Sequence, residues 1–383
     1  MISALYCGSF DPFTLGHLSV IEQAFKHKIG SYQCIEKIYI CVGDNDEKTP
    51  LFSSKERVEM IKKTLKNHPQ NNKIEVLSYS GLTVNLSLRL GVSYLIRGIK
   101  KNDSISSFEE NKLSLINEKL SETLGAKLET ITFESKNGIF SILSSSIIKK
   151  LCSLGEYIAV QSLVPAEIHQ ELMIKYLKPR FLNLFHAGYS AVAERHWKEL
   201  VCAYQKRSYH NLSHLGYMFN MLDRYTQITG QKTSDIELAI FAHDLVYHPD
   251  RTDNEEQSIQ KVLSWTGIKN TNSFKKLPNL IMATSHLENK YFSPLSPEAL
   301  IKDLDLSILG TPNFFIFQNY TKSIREEYKF YNDEKYIPQR IDFLTTLLET
   351  KHLFKTKFFQ RYLETQAKEN LRKEIFNLKH SKH

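Results

Sequence analysis

A glycine, a hydroxyl and a Gly-His pair stand where a strand-like run gives way to a helical one. Residues 8–17, Gly8-Ser9-Phe10-Asp11-Pro12-Phe13-Thr14-Leu15-Gly16-His17, follow the apolar residues 2–7 and lead into the pattern LSVIEQAF. A helix start gathers unpaired N–H groups and partial positive charge, so it favours phosphate. Gly8 is expected to let the backbone turn tightly. Ser9 offers a hydroxyl beside it, Gly16 leaves room for a flat base, and His17 in the first turn can donate to a phosphoryl oxygen. Such a site suits phosphoryl or nucleotidyl transfer, in which positioning and charge neutralisation supply most of the catalysis.

A second constellation lies in the other half. YHNLSH at 209–214 sets His210 and His214 four apart, which on a helix places both on one face. FAHDLVYHP at 241–249 supplies His243 beside Asp244, and LIKDLDLSILG at 300–310 supplies Asp303 and Asp305. Imidazole nitrogens and carboxylate oxygens from separate helices are suitable ligands for a divalent transition metal. Helix bundles build such sites in their cores. His286 is expected to be structural or on the surface, and His248 beside Pro249 to be a loop residue. The stretch FFIFQNY at 314–320 reads as core.

Two kinds of scaffold must position these groups. From residue 1 to about 135, short β-rich runs (2–7, 35–43, 73–79, 92–98, 128–134) alternate with helical ones: after His17, then 54–65, 84–90 and 108–124. Ser53 and Ser54 can cap the helix at 54, with Glu56 in its first turn. That alternation predicts an α/β Rossmann-like parallel sheet with helices on both faces. Ligands bind at the carboxyl ends of such strands, where GSFDP and RG fall. Short helices follow Ser144, and LKPRF at 177–181 reads as a linker. Beyond it the pattern is helical (183–205, 211–229, 234–247, 254–266, 272–284, 313–331, 337–350, 357–378) with no β alternation, which predicts an all-α domain. The expected organisation is therefore 1–176, a linker at 177–182, and 183–383.

Totals narrow the function classes. The 383 residues suit two domains, and the formal net charge of +8 favours anionic partners such as nucleotides. Dense Lys/Arg blocks are lacking, so nucleic acid is disfavoured as a partner. Five scattered cysteines without a C-x-x-C pair argue against a disulfide framework or zinc knuckle and for a reducing, cytoplasmic setting. The start reads as no signal peptide, and no apolar run reaches the roughly 20 residues of a membrane span.

GSFDPFTLGH resembles the nucleotidyltransferase signature with its T/H-x-G-H core. The wider order of motifs is similar to bacterial phosphopantetheine adenylyltransferases: KTPLFSSKERVEMI at 48–61, LIRGIK at 95–100, FSILSSSIIKKL at 140–151 and LVPAEIHQEL at 163–172. The resemblance covers roughly residues 1–176. It implies transfer of an adenylyl group from ATP to 4′-phosphopantetheine, giving dephospho-coenzyme A and pyrophosphate. No general base is required, because a phosphate monoester is largely dianionic near neutral pH. By this likeness His17 and Lys48 neutralise charge on the reacting phosphates, and Ser9 and Arg97 meet the substrate phosphate. Phe10 and Gly16 border the nucleotide, and Ser144, Ser145 and Ser146 open a helix that holds the β- and γ-phosphates. Mg²⁺ accompanies ATP. The family tends to form hexamers, so a homo-oligomer is expected. Lys100 stands where the family commonly has a second arginine, an apparent insertion KNDSI follows, and Asn111 replaces an acidic residue. Nicotinate-mononucleotide adenylyltransferases share the first signature and give an alternative, as does a nucleotide sensor with one domain inactive.

The ordered set H…HD…D resembles the HD superfamily of metal-dependent phosphohydrolases, and YHNxxH resembles a signature of cyclic-nucleotide phosphodiesterases in that wider fold. The likeness covers roughly 183–378. It implies His214, His243, Asp244 and Asp305 as ligands of one divalent transition metal, Asp305 being preferred to Asp303. His210 would be the general acid, and the substrate a phosphoester of unknown identity.

Overall fold

The computed structural model describes residues 2–29, 33–44, 49–99, 116, 119–120, 123–125, 127–134, 143–233, 236–269, 271–285 and 292–380. They divide into two compact units. One comprises residues 1–154 and 159–171, the other 155–158 and 172–383.

In the first unit the strands are β1 (Ser3–Gly8), β4 (Lys37–Gly43), β5 (Ile74–Tyr79), β6 (Tyr94–Ile99) and β7 (Glu129–Glu134); β2 (Lys28–Ile29) and β3 (Gln33–Cys34) form a separate antiparallel pair. The five-stranded sheet runs β5-β4-β1-β6-β7, and its pairings are all parallel. Such a sheet is covered on both faces, so its central strands are nearly continuous apolar runs. Ala4, Leu5, Ile38, Ile40, Cys41, Leu95 and Ile96 are wholly buried. On one face Leu5, Cys7, Cys41 and Leu95 pack with Leu86 and Val92. Chain order reverses between β1 and β6, and ligands of open α/β sheets bind outside the carboxyl ends at such a point.

The helix Ser54–Leu65 begins where its cap predicts. Ser53 Oγ accepts the Glu56 N–H at 3.2 Å, and Glu56 Oε2 accepts the Ser53 N–H at 2.8 Å. Most of the expected helix at 108–124 lies outside the described residues.

The second unit is helical. Among the described residues its β structure is one isolated bridge, Phe185 with Ile268. The expected linker at 177–182 is corrected: these residues are the last turns of the helix Ala166–Leu182, with Pro179 inside it. Proline normally ends a helix by removing a donor and crowding the preceding turn. Here burial of the neighbouring side chains outweighs that cost. Phe181 is wholly buried against Phe185, Trp197, Phe241 and Trp265. Arg180 pairs with Asp223 at 2.8 Å and Glu237 at 2.7 Å. Helix resumes only at Ser190–Tyr204, later than expected from 183.

His196 is buried in this core, stacked on Trp265 at 5.0 Å and Phe185 at 5.9 Å, and neither ring nitrogen has a hydrogen-bond partner. Burial outweighs nearby Glu199 and lowers its pKa from 6.5. The neutral form is favoured in the fold, so its contribution is complete above about pH 6.5 and is lost as pH falls through the depressed value. The urea midpoint should therefore drop between pH 7.5 and 5.5, and drop less in His196→Phe.

Candidate functional site

In the first unit the loop after β1 is built around Phe10 and Asp11. Gly8 does not supply a left-handed turn; that conformation falls on Phe10, at φ 48°. Gly8 is required for space instead, since a Cβ there would lie 2.9 Å from the Phe10 ring. The ring is buried, edge-on to Tyr6 and His17, with centroids at 5.2 and 5.0 Å. Phe10 thus presents backbone rather than side chain to any ligand. Ser9 is exposed, and Gly16 and His17 are half-buried.

The helix Leu15–Lys26 starts at Thr14. His17 Nδ1 accepts the Thr14 N–H at 2.9 Å, and Thr14 Oγ1 accepts the His17 N–H at 3.4 Å. This reciprocal cap fixes the tautomer: with Nδ1 an acceptor, the imidazole proton sits on Nε2, which becomes a donor.

Two charged residues that sequence reasoning did not single out hold this loop. Asp11 accepts the Leu51 N–H at 2.9 Å and the Phe52 N–H at 3.0 Å, and pairs with Lys149 at 2.8 Å. Arg57, buried, donates to the carbonyls of Ser9 at 2.6 Å, Gly43 at 3.0 Å and Phe52 at 3.0 Å. One guanidinium therefore ties the ends of β1 and β4 to the segment after Lys48. Lys48 itself lies outside the described residues, as do Lys100 and Asn111. Arg57→Met should destabilise the chain by about 2–4 kcal/mol, because buried carbonyls lose a charged donor; urea unfolding measures it.

The serine triplet opens a helix, Ser145–Ser153. Ser144 is its N-cap and accepts the Ile147 N–H at 3.2 Å. Ser145 Oγ donates to the Pro12 carbonyl at 2.8 Å, which brings this helix start against the β1 loop. Ser146 is exposed, and Arg97 is half-buried on β6 opposite Thr132 of β7. The structure thus gathers two helix starts, an exposed hydroxyl and an Nε2–H donor near the carboxyl end of β1.

The region that contains this loop is similar to known proteins. The cytidylyltransferase-like family matches residues 5–151. A phosphopantetheine adenylyltransferase of Lachnoclostridium phytofermentans is 37% identical over 173 residues, 45% of this chain and 94% of that protein. One from Clostridium botulinum strain Langeland is 38% identical over 176 residues, 46% of this chain and 95% of that protein. The chain belongs to the phosphopantetheine adenylyltransferase family. A solved Plasmodium falciparum nicotinic acid mononucleotide adenylyltransferase, complexed with APC, aligns at a TM-score of 0.33 and 18% identity over 45% of this chain and 94% of that one. These likenesses to the adenylyltransferase family lie in the first half, so the second site stands on its own geometry.

In the second unit the helix Leu212–Thr229 begins at Asn211, whose Oδ1 accepts the Ser213 N–H at 2.8 Å. His210 therefore precedes the helix, which corrects the expected shared face with His214. The turn, rather than helical spacing, sets the two rings 5.9 Å apart. His214 and His243 are buried, and with Asp305 they form a group whose ligand atoms lie within 4.8 Å of one another. His214 Nε2 is 3.1 Å from Asp305 Oδ1 and 3.3 Å from His243 Nε2. His243 Nε2 is 3.1 Å from Asp244 Oδ2. Asp303 is not with them. Its carboxylate accepts the Lys355 and Thr356 N–H groups, each at 2.7 Å, and burial pushes its pKa up to about 7.

His243 Nδ1 donates to the Ile240 carbonyl at 2.9 Å, which leaves the Nε2 lone pair facing the cluster. His214 Nδ1 meets Tyr209 Oη at 3.1 Å. Ligand atoms of His214, His243 and Asp305 thus converge, with Asp244 against His243, an arrangement that a cation or a proton satisfies. Burial lowers the His243 pKa, but Asp244 and Asp305 outweigh it and hold it at about 9. Burial raises that of Asp244, but His243, His210 and His214 pull it well below the carboxylate range.

His210 stands beside this group with a partner the sequence did not reveal. Its Nδ1 lies 2.6 Å from Glu327 Oε2, and Glu327 Oε1 accepts the Tyr209 and His210 N–H groups at 2.7 and 2.9 Å. Burial pushes the His210 pKa down, and Glu327 and Asp244 more than reverse it. Tyr247 stacks on the ring at 3.9 Å. His248 is an exposed loop residue, as expected, and His286 lies outside the described residues. FFIFQNY is only partly core: Phe314 is 70% exposed, whereas Phe317 and Tyr320 are buried. Among the described residues no helix is long and apolar enough to cross a membrane.

Proposed function

We propose that the first unit transfers an adenylyl group from ATP to 4′-phosphopantetheine. The observation that carries this is the His17 Nε2–H donor, fixed by the Thr14 cap at a helix start beside Ser9 and Ser144–Ser146. The name of the relatives supplies the substrate. The phosphate of 4′-phosphopantetheine attacks the α-phosphorus of ATP, the bond to the β-phosphate oxygen breaks, and pyrophosphate leaves. His17 and Lys48 offset the negative charge that builds on the non-bridging oxygens, and Arg97 and Ser9 hold the acceptor phosphate. Mg²⁺ bound with ATP would supply further charge neutralisation for the pyrophosphate. Pyrophosphate release that depends on both substrates tests this; equal or faster release with nicotinate mononucleotide would overturn it.

For the second unit we propose a metal-dependent phosphohydrolase. The converging ligand atoms of His214, His243 and Asp305 support it, because they fit one divalent transition metal, with Asp244 beside His243 as the fourth ligand of this reading. Such an ion supplies Lewis-acid activation of water. His210, oriented by Glu327, protonates the leaving oxygen. Phosphate release from a panel of phosphoesters, compared with His210→Ala, tests this reading.

A further inference from the structure

Beside the His–Asp cluster lies a cavity of about 350 Å³, lined in part by His210, Asp244, Asp305 and Glu255. The lining also holds aromatic and aliphatic groups, Tyr320, Tyr328, Tyr336, Phe343, Ile324 and Leu309, with a few neutral polar ones such as Gln339 and Asn254. The volume is near the lower end for small-molecule sites.

The charges of this lining restrict what enters. Its two guanidiniums are already matched. Arg251 makes a two-pronged pair with Asp253 at 2.5 and 2.7 Å. Arg340 donates to Glu374 and to Tyr320 Oη, both at 2.9 Å. The remaining charged lining groups, apart from His210, are carboxylates. Among the described residues the lining therefore has no uncommitted cation for a second or third phosphate, and burying such a charge unmatched is costly. One phosphate can be balanced at the metal cluster. The aromatic lining offers ring faces and edges that suit a flat, uncharged body, and Gln339 offers a neutral partner for the polar edge of a base.

We infer that this cavity takes a phosphomonoester with one phosphate and an uncharged aromatic body of nucleoside size, a nucleoside 5′-monophosphate rather than a di- or triphosphate; this rests on the hydrolase reading above. Water oxygen bonds to phosphorus, the ester P–O bond breaks, and the leaving oxygen takes the proton from His210 Nε2. A proton from the water restores His210, so the products are the nucleoside and hydrogen phosphate, with no redox partner.

The test uses the full chain loaded with Mn²⁺. Guanosine and uridine 5′-monophosphates serve as probes, since adenine nucleotides also suit the first unit. Phosphate release is expected at least tenfold faster in kcat/KM than from the matching di- and triphosphates, 4′-phosphopantetheine or glycerol 3-phosphate. Phe343→Ala should lower it about tenfold for the nucleotides, with its urea midpoint measured alongside to guard against simple misfolding. Saturation-transfer NMR on His210→Ala should show base protons in contact with protein, weakened by Phe343→Ala. His210-dependent hydrolysis of another phosphoester, with no preference for monophosphates, would overturn this inference and spare the hydrolase reading. No hydrolysis of any phosphoester, with no Mn²⁺ bound, would end both.

Discussion

Replacing His17 by alanine is expected to lower the rate of adenylyl transfer about 10²–10³-fold with little change in KM for 4′-phosphopantetheine. Removing one preorganised donor aimed at developing charge typically costs that much. The donor is Nε2–H, because Nδ1 is committed to the Thr14 N–H at 2.9 Å. The same commitment complicates the variant, since alanine also removes half of a reciprocal helix cap, a loss of about 1 kcal/mol. His17→Gln separates the two effects. Glutamine at the third helical position reaches back to the cap N–H, so stability should recover while the rate does not. Pyrophosphate release measured with urea unfolding distinguishes them. A His17→Ala rate within threefold of the native one would remove His17 from the chemistry.

The strands that carry this site were legible because their period and their neighbours agreed. Expected strands at 35–43 and 73–79 appear as Lys37–Gly43 and Ile74–Tyr79, and the Ser53–Glu56 cap forms as its three-residue separation implies. What stayed hidden is long-range. Arg57 reaches Ser9 across 48 positions, and His210 reaches Glu327 across 117. Nothing local marks either residue, since a solvated glutamate or arginine on a helix has the same immediate sequence. Pro179 misled for the opposite reason. Its local rule is sound, but Arg180 and Phe181, directly after it, are anchored by ion pairs and buried rings. Tertiary burial decided that segment. The Asn211 cap similarly displaced His210 from the helix that simple four-residue spacing suggested.

These hidden contacts share a purpose in the first unit. Asp11 and Arg57 bind backbone amides and carbonyls rather than other side chains, apart from Lys149 and Asp44. Buried charges used in this way fix the path of a loop more firmly than apolar packing does, because each broken bond leaves an unpaired polar group. The segment they clamp is Leu51–Phe52, just before the Ser53 cap of the next helix.

The other large effect is expected at the His–Asp cluster. The full chain, stripped with a chelator and titrated with Mn²⁺, should bind one ion in the second unit, and Asp305→Ala or His214→Ala should weaken binding by more than 100-fold. Loss of an outer partner alone typically costs 10–100-fold, and these residues offer the ligand atoms themselves, within 4.8 Å of each other. Ion binding to the folded chain should also raise its stability by about 2.7 kcal/mol at a free ion concentration 100 times Kd, and that gain should vanish in both variants. Asp303→Asn is the discriminating control. Its carboxylate is spent on the Lys355 and Thr356 amides, so the variant should lose stability yet keep its ion. If Asp303→Asn lost the ion and Asp305→Ala kept it, the ligand assignment would be reversed; if neither changed binding, the converging lone pairs would be held by protons, and the hydrolase reading would lose its metal.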